Sequence, residues 1–260
     1  MEYLSFAVET ARAAGEVLKH FANREKSVEL KGRANLVTVA DKESEAVIIE
    51  AIRRKYPDHA ILAEESGALS GSREATGQWV IDPLDGTTNF AHQYPFFCVS
   101  IGFEQDGQPL CGAVYDPFRD EMFSGGVGAG AFLNGNPIRV SAVAQLADAL
   151  LMTGFPYNFR DDIDAILARF RAFLCDSQAV RRGGSAALDM CYVALGRCDG
   201  FWEQNLNPWD TAAAKVILEE AGGRLSSFSG DSFSIYGKEI VASNSRLHDE
   251  MIRLLAATHS

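Results

Sequence analysis

The chain has 260 residues and a formal net charge of −11. Its 47% hydrophobic and 23% charged residues are typical of a folded globular protein and exclude a disordered or collagen-like chain. This length predicts a single domain, 1–260, made of two packed lobes at about 1–145 and 146–260. The acidic charge disfavours nucleic acid and anionic membranes as partners, and the apolar runs are far shorter than the roughly 20 residues that cross a bilayer.

The cysteines and histidines show no disulfide or zinc pattern. The number of cysteines is odd, no Cys-x-x-Cys pair occurs, and the five histidines lack His-Glu-x-x-His spacing, so we expect free thiols and no zinc site. The segment Met1-Glu2-Tyr3-Leu4 does not begin a basic stretch followed by an apolar one. We therefore expect no signal peptide and a cytoplasmic protein.

The first third of the chain mixes helices and strands. Apolar residues at steps of three and four predict helices over residues 2–22 and 41–56, the second preceded by a short-acid capping box, Thr38-Val39-Ala40-Asp41. Residues 60–63 predict a buried strand that ends at Glu64-Glu65, and residues 66–77 predict an exposed loop. A second buried strand, from Trp79, ends in two carboxylates, and the chain then turns at Gly86 towards a helix.

The rest of the chain is antiparallel first and alternating later. Strands are predicted over 97–103, 109–115 and 121–124, with hairpin turns at Asp106-Gly107 and Asn134-Gly135. Four helices follow, near 161–174, 185–196, 209–221 and 246–257, and strands are predicted near 178–182 and 199–203 and around residues 224 and 240. This order predicts an α/β fold with helices layered against mixed sheets.

The segment from Asp82 to Phe90 carries the clearest functional signal. Asp82 and Asp85 end a buried strand, and Gly86 and Thr87 begin the predicted helix. Carboxylates bind divalent metal ions, and the first amides of a helix bind anions. The pattern therefore predicts a site for a phosphate ester and its metals, with Mg²⁺ or Mn²⁺ favoured by oxygen ligands.

Other acids also lie where predicted helices begin or predicted strands end. Glu64 follows a strand that could lie beside the strand of Asp82, and Asp41 and Asp210 stand in the first turns of helices. Each also has a structural explanation: Asp41 and Asp210 fit helix caps, and Glu64 fits a solvated strand end. Asp-Pro and Asp-Gly pairs, as at Asp82 and Asp85, are common in turns.

Two glycine-rich segments differ in how well they fit a ligand-binding site. Residues 126–131 formally fit the dinucleotide fingerprint, but turn and strand residues follow them instead of the required helix, so we exclude nucleotide binding there. Gly183-Gly184-Ser185 precedes a predicted helix. Its amides could line a ligand pocket or could simply begin that helix.

Together these segments resemble a known family. The segment Asp82–Phe90 is similar to the first signature of the inositol monophosphatases, and 209–223 resembles their second. Asp41, the Glu64 segment and Phe201-Trp202-Glu203 fall in the expected order, so the resemblance covers the whole chain. After Asp-Gly-Thr, residues 88–90 resemble the inositol phosphatases and not the histidinol-phosphate or nucleotide phosphatases. Residues 181–186 resemble the bacterial members of the family, and residues 204–208 differ from the animal enzymes.

The resemblance implies an αβαβα sandwich of the sugar phosphatase type. It implies a lithium-sensitive homodimer that hydrolyses myo-inositol 1-phosphate with two or three Mg²⁺ ions. One ion would be held by Glu64, Asp82 and the carbonyl of Leu84, and a second by Asp82, Asp85 and Asp210. A weaker third ion would lie beside Glu64.

The same resemblance assigns substrate contacts and catalytic roles. The amides of Gly86 and Thr87 would bind the phosphate, Thr87 and Asp41 would orient the attacking water, and Glu64 would help to accept its proton. Lys31 lies in a segment that approaches the site in the family. The residues expected to contact the substrate are Asp85, Gly86, Thr87, Gly184, Ser185, Ala186, Glu203 and Asp210.

Two alternative functions stay open. One is a broader sugar phosphatase that also cleaves fructose 1,6-bisphosphate. The other is a regulatory binding protein that keeps the fold without catalysis, although the complete set of acids speaks against such a loss. An additional role on a partner protein is compatible with either.

Overall fold

The computed structural model describes residues 1–22, 28–30, 36–71 and 77–258. Short 3₁₀ helices occupy Leu146–Asp148 and Phe159–Asp162. No helix in these ranges is long and apolar enough to span a membrane. The α-helices are α1 (Glu2–Ala22), α2 (Val39–Lys55), α3 (Thr87–Ala91), α4 (Ile163–Asp176), α5 (Ala186–Ala194), α6 (Pro208–Glu220) and α7 (His248–Ala257).

The larger sheet has eight strands, which lie between residues 60 and 137. They are β3 (Ala60–Ala63), β4 (Gly67–Leu69), β5 (Gln78–Asp85), β6 (Cys98–Gln105), β7 (Gln108–Asp116), β8 (Glu121–Gly126), β9 (Gly130–Leu133) and β10 (Asn136–Pro137). Their order across the sheet is β10-β9-β8-β7-β6-β5-β3-β4. Only β3 and β5 run parallel among these neighbours, and every other pair is antiparallel.

The smaller sheet has five strands in the order β12-β11-β13-β15-β14. Its strands are β11 (Leu150–Thr153), β12 (Ala179–Arg181), β13 (Gly200–Gln204), β14 (Arg224–Ser226) and β15 (Glu239–Ser243). A separate antiparallel pair joins β1 (Val28–Leu30) to β2 (Leu36–Thr38), directly before α2.

Helices and sheets alternate in five layers. Helices α1 and α2 cover one face of the larger sheet, and α5 and α6 lie between the two sheets. Helices α4 and α7 cover the outer face of the smaller sheet. The predicted αβαβα sandwich is confirmed. One hydrophobic cluster lies under α1 and α2, one extends from the larger sheet through α5 and α6 to the smaller sheet, and one lies under α4 and α7.

Close packing of α6 on the larger sheet fixes the first turn of that helix. A Cβ atom added to Gly112 of β7 would lie 2.4 Å from the Cα atom of Ala213, so glycine allows the helix and the strand to approach. Small residues in α6 face the sheet there, and Ala212, Ala213 and Ala214 are fully or nearly fully buried. As a result, the helix start that carries Asp210 is held firmly against the larger sheet.

Most predicted elements are confirmed to within a few residues. The second helix begins at Val39, two residues before the predicted start, and the hairpin turns at Asp106 and Asn134 are confirmed by their left-handed backbones. The sequence analysis missed the strands β1, β2, β4 and β11. The predicted loop contains β4, and β11 lies inside the smaller sheet although only four residues form it.

Candidate active site

A cavity of about 290 Å³ lies where the ends of β5 and β13 meet the starts of α5 and α6. Apart from Asp41, every described residue predicted for the site lines this cavity. These residues are Glu64, Asp82, Leu84, Asp85, Gly86, Thr87, Gly184, Ser185, Ala186, Glu203 and Asp210. Lys31 lies outside the described residues.

Three carboxyl groups converge in this cavity. One oxygen atom from each of Asp82, Asp85 and Asp210 can be chosen so that all three lie within 4.8 Å of one another. Glu64 joins the same wall because β3 and β5 are parallel neighbours and the Glu64 amide donates to the Ile81 carbonyl at 3.2 Å. The expectation that Glu64 and Asp82 share one sheet edge is therefore confirmed.

A bulge in β5 brings Asp82 and Asp85 to the same cavity. Asp82 pairs with Ser100 and Asp85 pairs with Cys98, so β5 uses three steps where β6 uses two. In a regular strand, residues three apart would point to opposite faces, and the extra residue removes that alternation. Pro83 suits the bulge because it has no amide to donate, and its carbonyl accepts a 2.9 Å bond from Ser44.

Each acid of the cluster uses one carboxylate oxygen for the protein. Asp82 Oδ1 accepts from the Leu84 amide at 2.9 Å, and Asp210 Oδ2 accepts from the Asn207 amide at 2.6 Å. Asp85 Oδ2 accepts from the Ser185 hydroxyl at 2.7 Å and from the Ala187 amide at 2.8 Å. These bonds fix the side chains while their other oxygens remain available to a ligand. Asp210 is thus a helix cap as well as a member of the cluster.

The cluster is electrostatically unfavourable in the absence of a cation. Burial raises the pKa of Asp82 well above its usual range, and the charges of Glu64, Asp85 and Asp210 raise it further. Burial raises the pKa of Asp210 in the same way, and it raises that of Asp85 to about 6 against the opposing effect of its hydrogen bonds. Buried oxygen donors that repel one another fit a hard divalent cation such as Mg²⁺.

Thr87 connects Asp41 to the cavity. Its hydroxyl lies 3.0 Å from Asp41 Oδ1 and 3.1 Å from the Leu84 carbonyl oxygen, so its one proton is directed to these acceptors. Asp41 is fully buried behind Thr87, and its Oδ2 accepts from both the amide and the hydroxyl of Thr38. Asp41 therefore caps α2, as the alternative explanation stated, and also orients Thr87. Burial raises its pKa.

Gly86 makes the sharp turn between β5 and α3. Its φ of 95° lies in the left-handed region that favours glycine. The helix that follows has only five residues, so its macrodipole is weak. Any anion at this turn would therefore depend on individual N–H groups.

Glu203 occupies the side of the cavity formed by β13. It is 8% exposed, and burial raises its pKa to about 8, against the opposing charge of Arg182. A Cβ atom on Gly154 would lie 2.0 Å from Glu203 Oε2, so this glycine leaves room for the carboxyl group.

The comparisons with known proteins agree with this geometry. The family model described as "Inositol monophosphatase family" matches residues 1–260. The chain belongs to this family. It is similar to an inositol-1-monophosphatase of Synechocystis sp., with 47% identity over 98% of this chain and 89% of that protein. It is 44% identical to a protein of Pseudomonas aeruginosa named Nus factor SuhB, over 94% of this chain and 92% of that one.

A solved structure of the inositol monophosphatase of Anabaena (Nostoc) sp. has the same fold. The TM-score is 0.90 and the identity 47%, with 98% of this chain and 96% of that chain covered. Family membership over the full length makes this protein a phosphatase.

This inositol monophosphatase family member has cavity residues that the sequence analysis did not select. One group follows β11, which the sequence analysis missed, and consists of Gly154, Phe155, Pro156 and Tyr157. The available signal was an apolar run that ends in glycine and proline. Asp189 lies one helical turn after Ser185 on α5, a spacing that places both on one helix face. The remaining unselected residues of the wall are Thr88, Arg182, Asn205, Leu206, Asn207 and Trp209.

Proposed function

We propose that this protein is a Mg²⁺-dependent phosphomonoesterase that hydrolyses myo-inositol 1-phosphate and related inositol monophosphates. The observation that best supports this function is the convergence of Asp82, Asp85 and Asp210 in a cavity that also contains Thr87 and Glu203. The names of the relatives in Synechocystis and Anabaena point to the same substrate.

The acids divide into two ligand sets that share Asp82. Glu64, Asp82 and the Leu84 carbonyl would hold one Mg²⁺, and Asp82, Asp85 and Asp210 a second, with a weaker third ion beside Glu64. Mn²⁺ fits the same oxygen donors. Bound Mg²⁺ supplies Lewis acidity, which acidifies water and neutralises the charge of the phosphoryl and leaving oxygens.

The protein's own groups orient the attacking water. Because the Thr87 proton is directed to Asp41 and Leu84, a lone pair of its hydroxyl oxygen is left to accept a hydrogen bond from that water. Glu64 lies on the same wall and accepts the proton as the oxygen–phosphorus bond forms. The amides of Gly86 and Thr87 bind phosphoryl oxygens, which holds phosphorus in line with the attack.

The alcohol of the substrate lies towards α5 and β13. Gly184, Ser185 and Ala186 border this part of the cavity, and Glu203 accepts hydrogen bonds from ring hydroxyls. Asp85 and Asp210 contact the substrate from the metal side. No serine or cysteine nucleophile is needed, because water attacks phosphorus directly.

A broader sugar phosphatase is the second candidate, since a cavity of about 290 Å³ does not by its size separate inositol from fructose phosphates. The relative named Nus factor SuhB raises a regulatory role on a partner protein. The complete acid cluster favours catalysis over a purely regulatory protein.

We also propose that the protein is cytoplasmic and forms a homodimer. Each subunit would be a single domain with two lobes. The charge of −11 disfavours nucleic acid and membranes as partners.

Phosphate release tests the function directly. Inositol 1-phosphate and fructose 1,6-bisphosphate are compared at equal concentration with Mg²⁺ and with EDTA. Release from inositol 1-phosphate alone, abolished by EDTA, supports the proposal. Comparable release from both substrates favours the broader sugar phosphatase, and no release from either by folded, Mg²⁺-loaded protein contradicts both.

A further inference from the structure

Asp189 is a buried carboxyl group that lines the cavity without a role in the chemistry above. Its residue is 1% exposed, and it lies on α5 one turn after Ser185. Its Oδ1 atom is shielded from solvent and has no hydrogen-bond partner in the part of the chain that the structure describes. An unpaired buried acceptor destabilises the protein, and a donor from a ligand would offset that cost.

The backbone beside Asp189 leaves room for this carboxyl group. A Cβ atom on Gly183 would lie 2.3 Å from Asp189 Oδ1, so any side chain there would displace the acid. The turn itself is fixed, because Asn89 donates to the Gly183 carbonyl at 3.0 Å and to the Phe96 carbonyl at 2.7 Å. A fixed glycine turn thus leaves space for the carboxyl group of Asp189, a residue that lines the cavity.

The charges around Asp189 favour neutral donors. Burial raises the pKa of Asp189 well above its usual range, and the charges of Glu203 and Asp85 raise it further, whereas Arg182 lowers it. Among the described residues that line the cavity, Arg182 is the only basic one. Two buried carboxyl groups can accept hydrogen bonds from hydroxyl groups, whereas a second phosphate would find a single guanidinium among the described residues of this wall.

Building on the proposed function, we infer that Asp189 is a specificity-determining residue that, together with Glu203, accepts hydrogen bonds from the hydroxyl groups of the substrate's alcohol and disfavours alcohols that carry a second phosphate. The preferred substrates are monophosphates of neutral polyhydroxy alcohols. Aryl phosphates lack the hydroxyl donors, and bisphosphates bring a second anion to a wall where the described residues supply one guanidinium.

Steady-state kinetics of the Mg²⁺-loaded enzyme test this inference. The Asp189→Leu and Asp189→Asn variants are compared with wild type on inositol 1-phosphate, glycerol 2-phosphate, p-nitrophenyl phosphate and fructose 1,6-bisphosphate. For Asp189→Leu we expect kcat/KM for the two polyol phosphates to fall about tenfold, mainly through KM, with the aryl phosphate within twofold. For Asp189→Asn we expect the ratio of bisphosphate to inositol phosphate turnover to rise severalfold.

A second variant changes the neighbouring residue Gly183 and leaves Asp189 itself in place. Gly183→Ala retains the carboxyl group of Asp189 but displaces its Oδ1 atom, so it should reproduce the selective loss on polyol phosphates. Glu104→Gln is the matched control, because Glu104 is also buried and its Oε2 atom is also unpartnered, but it lies outside the cavity wall. Its polyol-to-aryl ratio should equal that of wild type.

The outcomes separate this inference from the proposed function. Equal losses on polyol and aryl phosphates, or unchanged ratios in both Asp189 variants, overturn the role of Asp189. Wild type that cleaves glycerol 2-phosphate but not inositol 1-phosphate overturns the proposed substrate, and Asp189 is then judged by the ratio of glycerol 2-phosphate to aryl phosphate turnover.

Discussion

The Ser185 hydroxyl donates a 2.7 Å hydrogen bond to Asp85 Oδ2 and thereby joins the start of α5 to the end of β5. Ser185 is also the N-cap of α5, and its oxygen accepts from the Leu188 amide at 3.3 Å. One side chain therefore caps the start of a helix and orients a cluster acid. This connection makes the metal geometry depend on the position of α5.

Ser185→Ala should weaken Mg²⁺ binding about tenfold, because Asp85 loses a bond that orients it. The measurement is the Mg²⁺ concentration at half-maximal phosphate release, together with the Mg²⁺-dependent shift in Tm. Ser229→Ala is the control, because Ser229 makes a 2.6 Å bond to Asp231 on the surface. Identical Mg²⁺ curves for wild type and Ser185→Ala would contradict the orienting role.

Asp82→Asn should lower kcat by more than about 100-fold while the fold is kept, because Asp82 belongs to both ligand sets. In EDTA the variant should be at least as stable as wild type, since one repelling buried acid is gone. Added Mg²⁺ should raise the Tm of wild type much more than that of the variant. Near wild-type turnover of Asp82→Asn would refute its shared role.

Thr87→Val keeps the shape of the side chain and removes the hydroxyl. We expect kcat to fall about 100-fold with little change in KM, because the oriented acceptor for water is lost. Thr87→Ser, which keeps the hydroxyl, should retain most of the activity and is the matched control. If the valine variant turns over at the wild-type rate, Thr87 does not orient the water.

Glu203 should make the metal-free protein less stable as pH rises. Its pKa is about 8 in the fold and 4.5 in the unfolded chain, so between these values the folded state holds a proton that the unfolded state releases. The free energy of unfolding therefore falls through this window, by a few kcal/mol in total. Urea unfolding in EDTA from pH 5 to 8 should show a smaller fall for Glu203→Gln, with Glu9→Gln as the control for charge. Parallel pH curves for wild type and Glu203→Gln would argue against the raised pKa.

Lithium should inhibit the enzyme at millimolar concentration if it replaces the second Mg²⁺, as expected of a lithium-sensitive member of the family. Phosphate release is measured against LiCl at several Mg²⁺ concentrations, with NaCl and KCl at equal ionic strength as controls. Inhibition specific to lithium and dependent on Mg²⁺ supports a shared ion site. Insensitivity would separate this protein from the lithium-sensitive members.

Local sequence patterns were sufficient for most helices and for the acids that meet in the cavity. The Thr38–Asp41 box and the Asn207-Pro208 start of α6 are short-range signals, and the structure confirms both helix starts. Strand β11 was missed because a strand of four residues inside a sheet is stabilised by neighbours far along the chain. Asp189 was not selected because its unpaired oxygen depends on the backbone of Gly183 and on depth of burial.

The sequence by itself determined the layered α/β class, the family resemblance and the acids that could bind metal, because helix periodicity, capping and motif spacing are properties of neighbouring residues. Tertiary structure decided how those acids meet. The bulge in β5 turns Asp82 and Asp85 to one cavity, and the approach of α6 to Gly112 brings Asp210 to them. These relationships depend on pairing and packing between distant segments, which no local pattern encodes.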